Sequence, residues 1–448
     1  MSKTRTEFDS IGAIQVPNDK YWGAQTQRAL ANFQIGAEIM PKEIITSLAL
    51  IKQAAAMVNA DLGVLAKHKV KLITEVCARI KNGELDEHFP LTIWQSGSGT
   101  QTNMNINEVI ANLTKLHPND DVNKSQSTND VFPTAMHIAS LYALKETLLP
   151  ALQFLRQELY QKQKEFNKIL KIGRTHLQDA LPMTVGQEFS GYVAQLDFAI
   201  KSIRNTAINL KYLSIGGTAI GTGLNAPKLF AKYMTKTLTD LTGLKLVPAP
   251  NKFCLLASHD ALLAVSGTLK GLACALFKIT NDIRWLASGP NCGLGELILP
   301  DNEPGSSIMP GKVNPTQCEA MLMVCAQVIG NDAVVGFANS QGNFELNVFK
   351  PVIVYNILQA INLLSASCWS FGRHAIANLK VNQKKLAMHI DGSLMLVTAL
   401  NPVIGYDKAC LVVQTAAVEG LSLRQASVKL GFLTAKEFDV YVQPKKMI

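Results

Sequence analysis

The sequence predicts an all-α protein built around a bundle of long helices. Three observations carry this. Apolar residues recur at alternating spacings of four and three over long stretches, segments of period two are almost absent, and the non-helical stretches are few and polar. The first long series runs through Leu141, Leu144, Leu148, Leu152, Leu155 and Leu159, past Pro150, which should kink its helix. The second is Phe189, Val193, Leu196, Ile200, Ile203, Ala207 and Leu210. The third runs from Val265 through Leu269, Leu272, Leu276, Ile279, Ile283 and Leu286. Each is long enough for a helix of roughly 40 Å at a rise of about 1.5 Å per residue. One domain boundary is expected near residue 127, before the first long helix. Another is expected near 385, where the pattern breaks into shorter pieces containing Gly392, Gly405, Gly420 and Gly431. The expected domains are therefore 1–127, 128–385 and 386–448, with no internal repeat.

Composition narrows the function classes. The apolar share of the 448 residues is 48% and the charged share 17%, against about 25% charged in ordinary soluble domains. So few charges leave too little polar surface to cover a monomer, which points to an oligomer. A membrane protein is set aside at this level because no stretch of about 18 residues lacks charged and strongly polar side chains. The net charge is +9, but the basic residues are scattered and aromatics make up 7%. That argues against a nucleic-acid groove and favours a small anionic ligand. The eight cysteines form no Cys-x-x-Cys pair and lie far apart, the usage of a reducing compartment. The N-terminus is polar and carries acids, unlike a signal or transit peptide. A cytoplasmic protein is expected.

Four stretches are dense in Gly, Ser, Thr, Asn and Pro: 95–107, 117–130, 173–182 and 304–315. Long polar connections in a helical bundle are where sites tend to lie. The last reads Gly305-Ser306-Ser307-Ile308-Met309-Pro310-Gly311-Lys312-Val313-Asn314-Pro315. It is not a phosphate loop, because five residues separate its glycines and Val313 follows the lysine. Its backbone N–H groups could form an anion nest beside Lys312 and Asn314, although a solvated turn would look the same. His176 stands in Gly173-Arg174-Thr175-His176-Leu177-Gln178-Asp179-Ala180, among polar neighbours. Ser127-Thr128-Asn129-Asp130 before Pro133 reads as a helix N-cap, which is also an anion site. No cluster of His, Cys, Asp or Glu has metal-ligand spacing. The run Gly216–Gly223 follows no strand and so is not a dinucleotide fingerprint.

These motifs resemble the fumarase/aspartase superfamily, and within it the class II fumarate hydratases. The 304–315 loop is similar to the superfamily's signature loop. The resemblance runs from Asp9-Ser10-Ile11-Gly12 and Trp22-Gly23-Ala24-Gln25-Thr26 to the C-terminal segment. Gly311 and Thr316-Gln317-Cys318-Glu319 resemble fumarases more than aspartases. The resemblance implies three domains and a homotetramer, with a shared helical core and each active site built from three chains. It implies reversible hydration of fumarate to L-malate through an aci-carboxylate, with no metal or organic cofactor. Ser306 matches the family's catalytic base, His176 the histidine that helps protonate the departing hydroxyl, and Glu319 the acid paired with it. Ser98, Gly99, Thr100, Ser127, Thr128, Asn129, Thr175, Ser307, Lys312, Val313 and Asn314 match positions that hold the substrate carboxylates. His117, Pro118, Asn119 and Asp120 match a second anion site. The sequence departs from the family in two places. Only Leu113-Thr114-Lys115-Leu116 separates Asn112 from His117, where relatives have a longer basic loop, and Thr128 stands where serine is commoner. An ammonia lyase acting on aspartate and a helical tetramer without activity are the competing readings. The second would predict loss of Ser306, His176 or Lys312, and all three are present.

Overall fold

The computed structural model describes residues 4–448 and is all-α, with seventeen α-helices and only short two-stranded sheets among the described residues. It divides into two compact units. One comprises Met1–Pro150, Ala199–Cys274 and Val324–Ser365, and the other Ala151–Phe198, Ala275–Met323 and Ala366–Ile448. Every crossing between them falls inside a long helix, so the chain joins the units by helix and not by loop linkers.

The helical periodicities mark the buried seams. Leu144, Leu148, Leu152, Leu155 and Leu159 are buried, as are Phe189, Val193, Leu196, Ile200 and Ile203. So is the whole series from Val265 to Leu286. The disturbance expected around Pro150 takes the form of a wide-turn segment over Ala143–Leu148, after which Leu149–Glu165 resumes as α-helix. A proline has no N–H to give to the preceding turn, and a π-type segment there absorbs the missing bond.

Strands appear where the period-2 signal is too short to read. Thr4–Asp9 pairs with Gly12–Pro17, and Leu170–Thr175 pairs with Gln178–Thr184. The second hairpin occupies most of the stretch read above as a polar loop. The first unit is centred on helix α1 (Lys42–Asp61), which buries Ile44, Leu48, Ile51, Ala55 and Val58, together with Lys52. Helices α2 (Thr100–Thr114) and α3 (Thr128–Tyr142) also belong to this unit.

Among the described residues, three helices are long and apolar enough to cross a membrane, by length and composition alone. Asp260–Leu286 and Thr316–Asn339 have mean hydropathy 1.6, and Lys350–Ile376 has 1.4. This corrects the composition argument, which looked for windows wholly free of polar groups. These helices reach high hydropathy while keeping isolated polar residues, and several of those are paired. Asp332 accepts from Ser266 Oγ at 2.7 Å and Lys270 Nζ at 2.5 Å. Asn331 donates to Gln359 Oε1 at 2.9 Å and to the Asn356 carbonyl at 3.2 Å. Large apolar side chains nonetheless stay open on Thr316–Asn339, with Met323 69% and Phe337 67% exposed.

Candidate active site

In the first unit, α2 and α3 present their N-termini together. The 95–99 segment turns tightly into α2. A Cβ on Gly97 would collide with the Val348 carbonyl oxygen, and one on Gly99, at φ +79°, would collide with the Phe132 ring. Glycine is therefore required at both positions. Lys350 N–H donates to the Gly97 carbonyl at 3.0 Å, which pins the turn. Gln95 Oε1 accepts from Thr102 N–H at 3.0 Å and from its hydroxyl at 2.9 Å. On this frame the hydroxyls of Ser96, Ser98 and Thr100 form a chain, with spacings of 2.9 and 2.7 Å. Ser127 caps α3, accepting from Asn129 N–H at 3.2 Å, while Asp130 Oδ1 accepts from Ser127 N–H at 3.0 Å. Asn103 Nδ2 donates to Thr128 Oγ1 at 3.0 Å and so ties the two N-termini to each other. The structure thus brings Ser98, Gly99 and Thr100 together with Ser127, Thr128 and Asn129. Two helix N-termini side by side favour anions.

Beneath them lies a buried polar layer that sequence reasoning missed. Asp130 is wholly buried, and its Oδ2 accepts from Gly216 N–H at 2.8 Å and Thr218 N–H at 2.9 Å. Asn129 Nδ2 donates to the Ala219 carbonyl at 2.8 Å. The glycine-rich 216–223 run is therefore docked on the start of α3. Burial pushes the Asp130 carboxyl up to about 6, against the pull of its N–H donors and of Lys52. Lys52 is also wholly buried, and its Nζ donates to Asn123 Oδ1 at 2.9 Å and Gln126 Oε1 at 3.0 Å. Burial brings its ammonium down to about 7, opposed by the Asp130 charge. Two signals could have found this layer. One is a lone lysine inside the apolar run 48–56, and the other is the acid three residues after an N-cap serine.

The second-anion candidates lie where α2 ends. Lys115 caps it in the left-handed region, and Leu116 N–H returns to the Ala111 carbonyl at 3.2 Å, leaving no free loop before His117. His117 Nδ1 accepts from Asn119 N–H at 3.3 Å and Asp120 N–H at 3.0 Å. Asp121 Oδ2 accepts from the N–H of His117 at 3.0 Å. The amides that an anion would use are already engaged.

In the second unit, His176 and Leu177 form the two-residue turn of the Leu170–Thr175/Gln178–Thr184 hairpin, with φ of +55° and +60°. Two positive φ values are the pattern of a type I′ turn, which ordinarily selects Asn and Gly. A histidine and a leucine there store on the order of 1–3 kcal/mol of strain each. Thr175, His176 and Leu177 are exposed. The 304–315 loop is closed at its base: Gly305 N–H donates to the Lys312 carbonyl at 2.9 Å, and Asn314 Nδ2 to the Gly305 carbonyl at 2.6 Å. At its tip, Ser306 Oγ accepts from Ile308 N–H at 3.2 Å and Met309 N–H at 3.0 Å. Two N–H groups of this loop are thus engaged by the Ser306 hydroxyl. Ser307, Lys312 and Val313 are exposed, and Gly311 to Pro315 form one wall of a cleft of about 760 Å³. Glu319, in the first turn of Thr316–Asn339, is exposed. Among the described residues no hydrogen bond or ion pair joins Ser306, His176 and Glu319 within the chain.

A profile described as Lyase matches residues 12–330, and one described as Fumarase C C-terminus matches 396–448. A Thermosynechococcus vestitus class II fumarate hydratase is 55% identical over 457 residues, covering 99% of this chain and 98% of that protein. The chain belongs to the class II fumarate hydratases. A Helicobacter pylori class II fumarate hydratase is 54% identical with the same coverage. The crystal structure of a class II fumarase from Schistosoma mansoni superposes with TM-score 0.97 at 45% identity, covering 99% of both chains. As in any hydro-lyase, the fumarase site must take a proton from one carbon and return one to a leaving hydroxide.

The buried layer beneath the fumarase loops has a pH signature. The folded pKa of Lys52, about 7, lies below its ordinary value of 10.5. The unfolded chain therefore binds more protons between those limits, and stability rises with pH across that window. The wild-type protein should gain on Lys52→Met as pH goes from 7 to 9, by at most about 1.4 kcal/mol per pH unit. Urea midpoints at one protein concentration check this, and parallel pH slopes for the two proteins would rule Lys52 out as the source.

Proposed function

We propose that this fumarate hydratase interconverts L-malate and fumarate with Ser306 as the base, His176 as the acid acting through a water, and Glu319 as the partner of His176. The observation that carries the reading is the pair of backbone N–H groups on Ser306 Oγ. Serine is a weak base at its ordinary pKa, and two amide donors with Lys312 in the same loop stabilise the oxyanion form. Ser306 takes the C3 proton of malate, and the electron pair moves into the adjacent carboxylate, giving a dianionic aci-carboxylate. Lys312 and Asn314 are suited to that developing charge, one as a cation and one as an amide donor. The C2 hydroxyl then leaves as water after taking a proton delivered from His176. Ser98, Gly99, Thr100, Ser127, Thr128, Asn129, Thr175, Ser307 and Val313 complete the carboxylate site through hydroxyls, amides and two helix N-termini. These steps call on no metal or organic cofactor.

The same reading assigns the protein to a cytoplasmic homotetramer with sites shared among three chains and with domains near 1–127, 128–385 and 386–448. Two facts support the assembly. The proposed reacting groups His176, Lys312 and Glu319 are exposed, whereas a charge-stabilising site has to exclude bulk water. Exposed Met323, Phe337, Phe198 and Trp285 offer the apolar surface that such an assembly would bury. The eight cysteines are all free, as a reducing compartment requires.

Fumarate absorbance with malate, and separately with aspartate, tests the activity, and only malate should produce signal. Ser306→Ala should lower kcat by about 10²–10⁴-fold or more while malate still binds. An unchanged kcat would remove Ser306 from the role of base. Ser306→Ala and His176→Asn proteins, each reduced to a small residual rate, should recover part of the activity when dissociated and reassembled together. No recovery from proven mixed tetramers would indicate single-chain sites. The second anion site is proposed to be weak, because His117 already engages the amides of Asn119 and Asp120. Millimolar citrate at constant ionic strength should therefore change the initial rate with malate by less than about twofold, the missing basic loop adding a further several-fold weakening to that of the engaged amides. A larger effect that His117→Ala abolishes would show a working second site.

A further inference from the structure

Near the hairpin that carries His176, a second group of charged side chains gathers around the buried pair Lys171 and Glu296. Lys171 and Arg174 stand on its first strand. Lys171 Nζ donates to Glu188 Oε1 at 2.6 Å and lies 3.4 Å from Glu296 Oε2. Arg174 Nη2 donates to Glu296 Oε1 at 2.5 Å. His389 Nδ1 lies 3.0 Å from the same oxygen. The side chains of Lys171 and Glu296 are each 2% exposed. Two cations and two anions balance, so removing one carboxylate charge leaves an unmatched cation in a dry site. Burial works to raise the Glu296 pKa, but the Arg174 hydrogen bond and the two neighbouring cations outweigh it, and its carboxyl is held below the ordinary range.

The backbone of Glu296 is equally constrained. Its N–H donates to the Leu286 carbonyl at 2.8 Å, and its carbonyl accepts from Asn382 N–H at 2.8 Å, at the cap of the Gln383–Gly392 helix that bears His389. Leu297 and Ile298, which follow it, pair with Val381 and Lys380. They also line the cleft that holds Lys312 and Asn314. One carboxylate thus stands at the root of that cleft wall and grips the histidine hairpin two residues before its tip. The tip itself is exposed and strained, and needs such an anchor to keep one direction.

We propose that Glu296, supported by His389, is a positioning residue that holds the hairpin of His176 through Arg174 and Lys171 without touching substrate. This rests on the reading of His176 as the acid. The test is a double-mutant cycle on the assembled enzyme, with kcat and KM for malate as readouts. Glu296→Gln keeps the shape and removes the charge. With His176 in place it should lower kcat by about 10–100-fold and change KM by less than about threefold, as expected for a displaced reacting group. In the His176→Asn background the same substitution should cost less than about twofold, because the group it positions is gone. Equal losses in both backgrounds, or none with His176 present, overturn the proposal. If His176→Asn by itself keeps near-normal kcat, the acid reading fails on that separate measurement and the positioning role falls with it. Should Glu296→Gln fail to assemble, His389→Leu decides the matter at a partly exposed site. It should show a threefold to tenfold loss of kcat, of order the loss of one supporting contact, that vanishes in the His176→Asn background, and its absence overturns the proposal.

Discussion

The carboxylate of Asp130, closed off from solvent, accepts hydrogen bonds from the backbone N–H groups of Ser127, Gly216 and Thr218. The polar end of the first unit depends on it. The bond to Ser127 starts helix α3, and the bonds to Gly216 and Thr218 lay the glycine-rich run across that start. An ionised carboxylate in such a place is costly unless every lone pair is used. Three amide donors and the nearby Lys52 ammonium offset that cost, and the residual penalty appears as a pKa of about 6. Lys52 in turn holds Asn123 and Gln126, which lead into Ser127. The half-buried and buried hydroxyls and amides of this region are therefore held from below by two fully buried charged residues.

The second unit solves the same problem with Glu296. Its site loops are more exposed than those of the first unit, and His176 and Leu177 are both at positive φ. Strain of this kind persists only where the surroundings over-determine it. The Lys171, Arg174, Glu188 and Glu296 network, with the hairpin ladder, supplies the constraint. The serine loop is held differently, by backbone closure at Gly305 and Lys312 and by the Asn314 amide. Its tip amides are thereby left pointing at Ser306 Oγ, which favours charge on that oxygen.

The long helices connect this chemistry to composition. A charged share of 17% goes with open apolar side chains such as Met323 and Phe337, an apolar surface left uncovered in the single chain. Hydropathy alone does not say what covers it, and three of these helices would pass for membrane spans by length and composition. The assembly proposed above would cover these side chains with further copies of the chain.

The helical class and the buried seams were legible in the sequence, because a period of 3.6 held over six or seven successive apolar positions, as from Val265 to Leu286, leaves few alternatives. The Ser127 cap and the 304–315 loop were legible for a local reason: cap and turn chemistry depends on neighbours within a few positions. The Leu170–Thr184 hairpin was not, since its strands are short, a bulge at Gly173 breaks their alternation, and its turn residues are His and Leu instead of Asn and Gly. The buried pairings were not legible either. Asp130 meets Gly216 across 86 positions, and Arg174 meets Glu296 across 122. No periodicity or motif spans such distances, so only the tertiary structure decided which charges are buried and what each one holds.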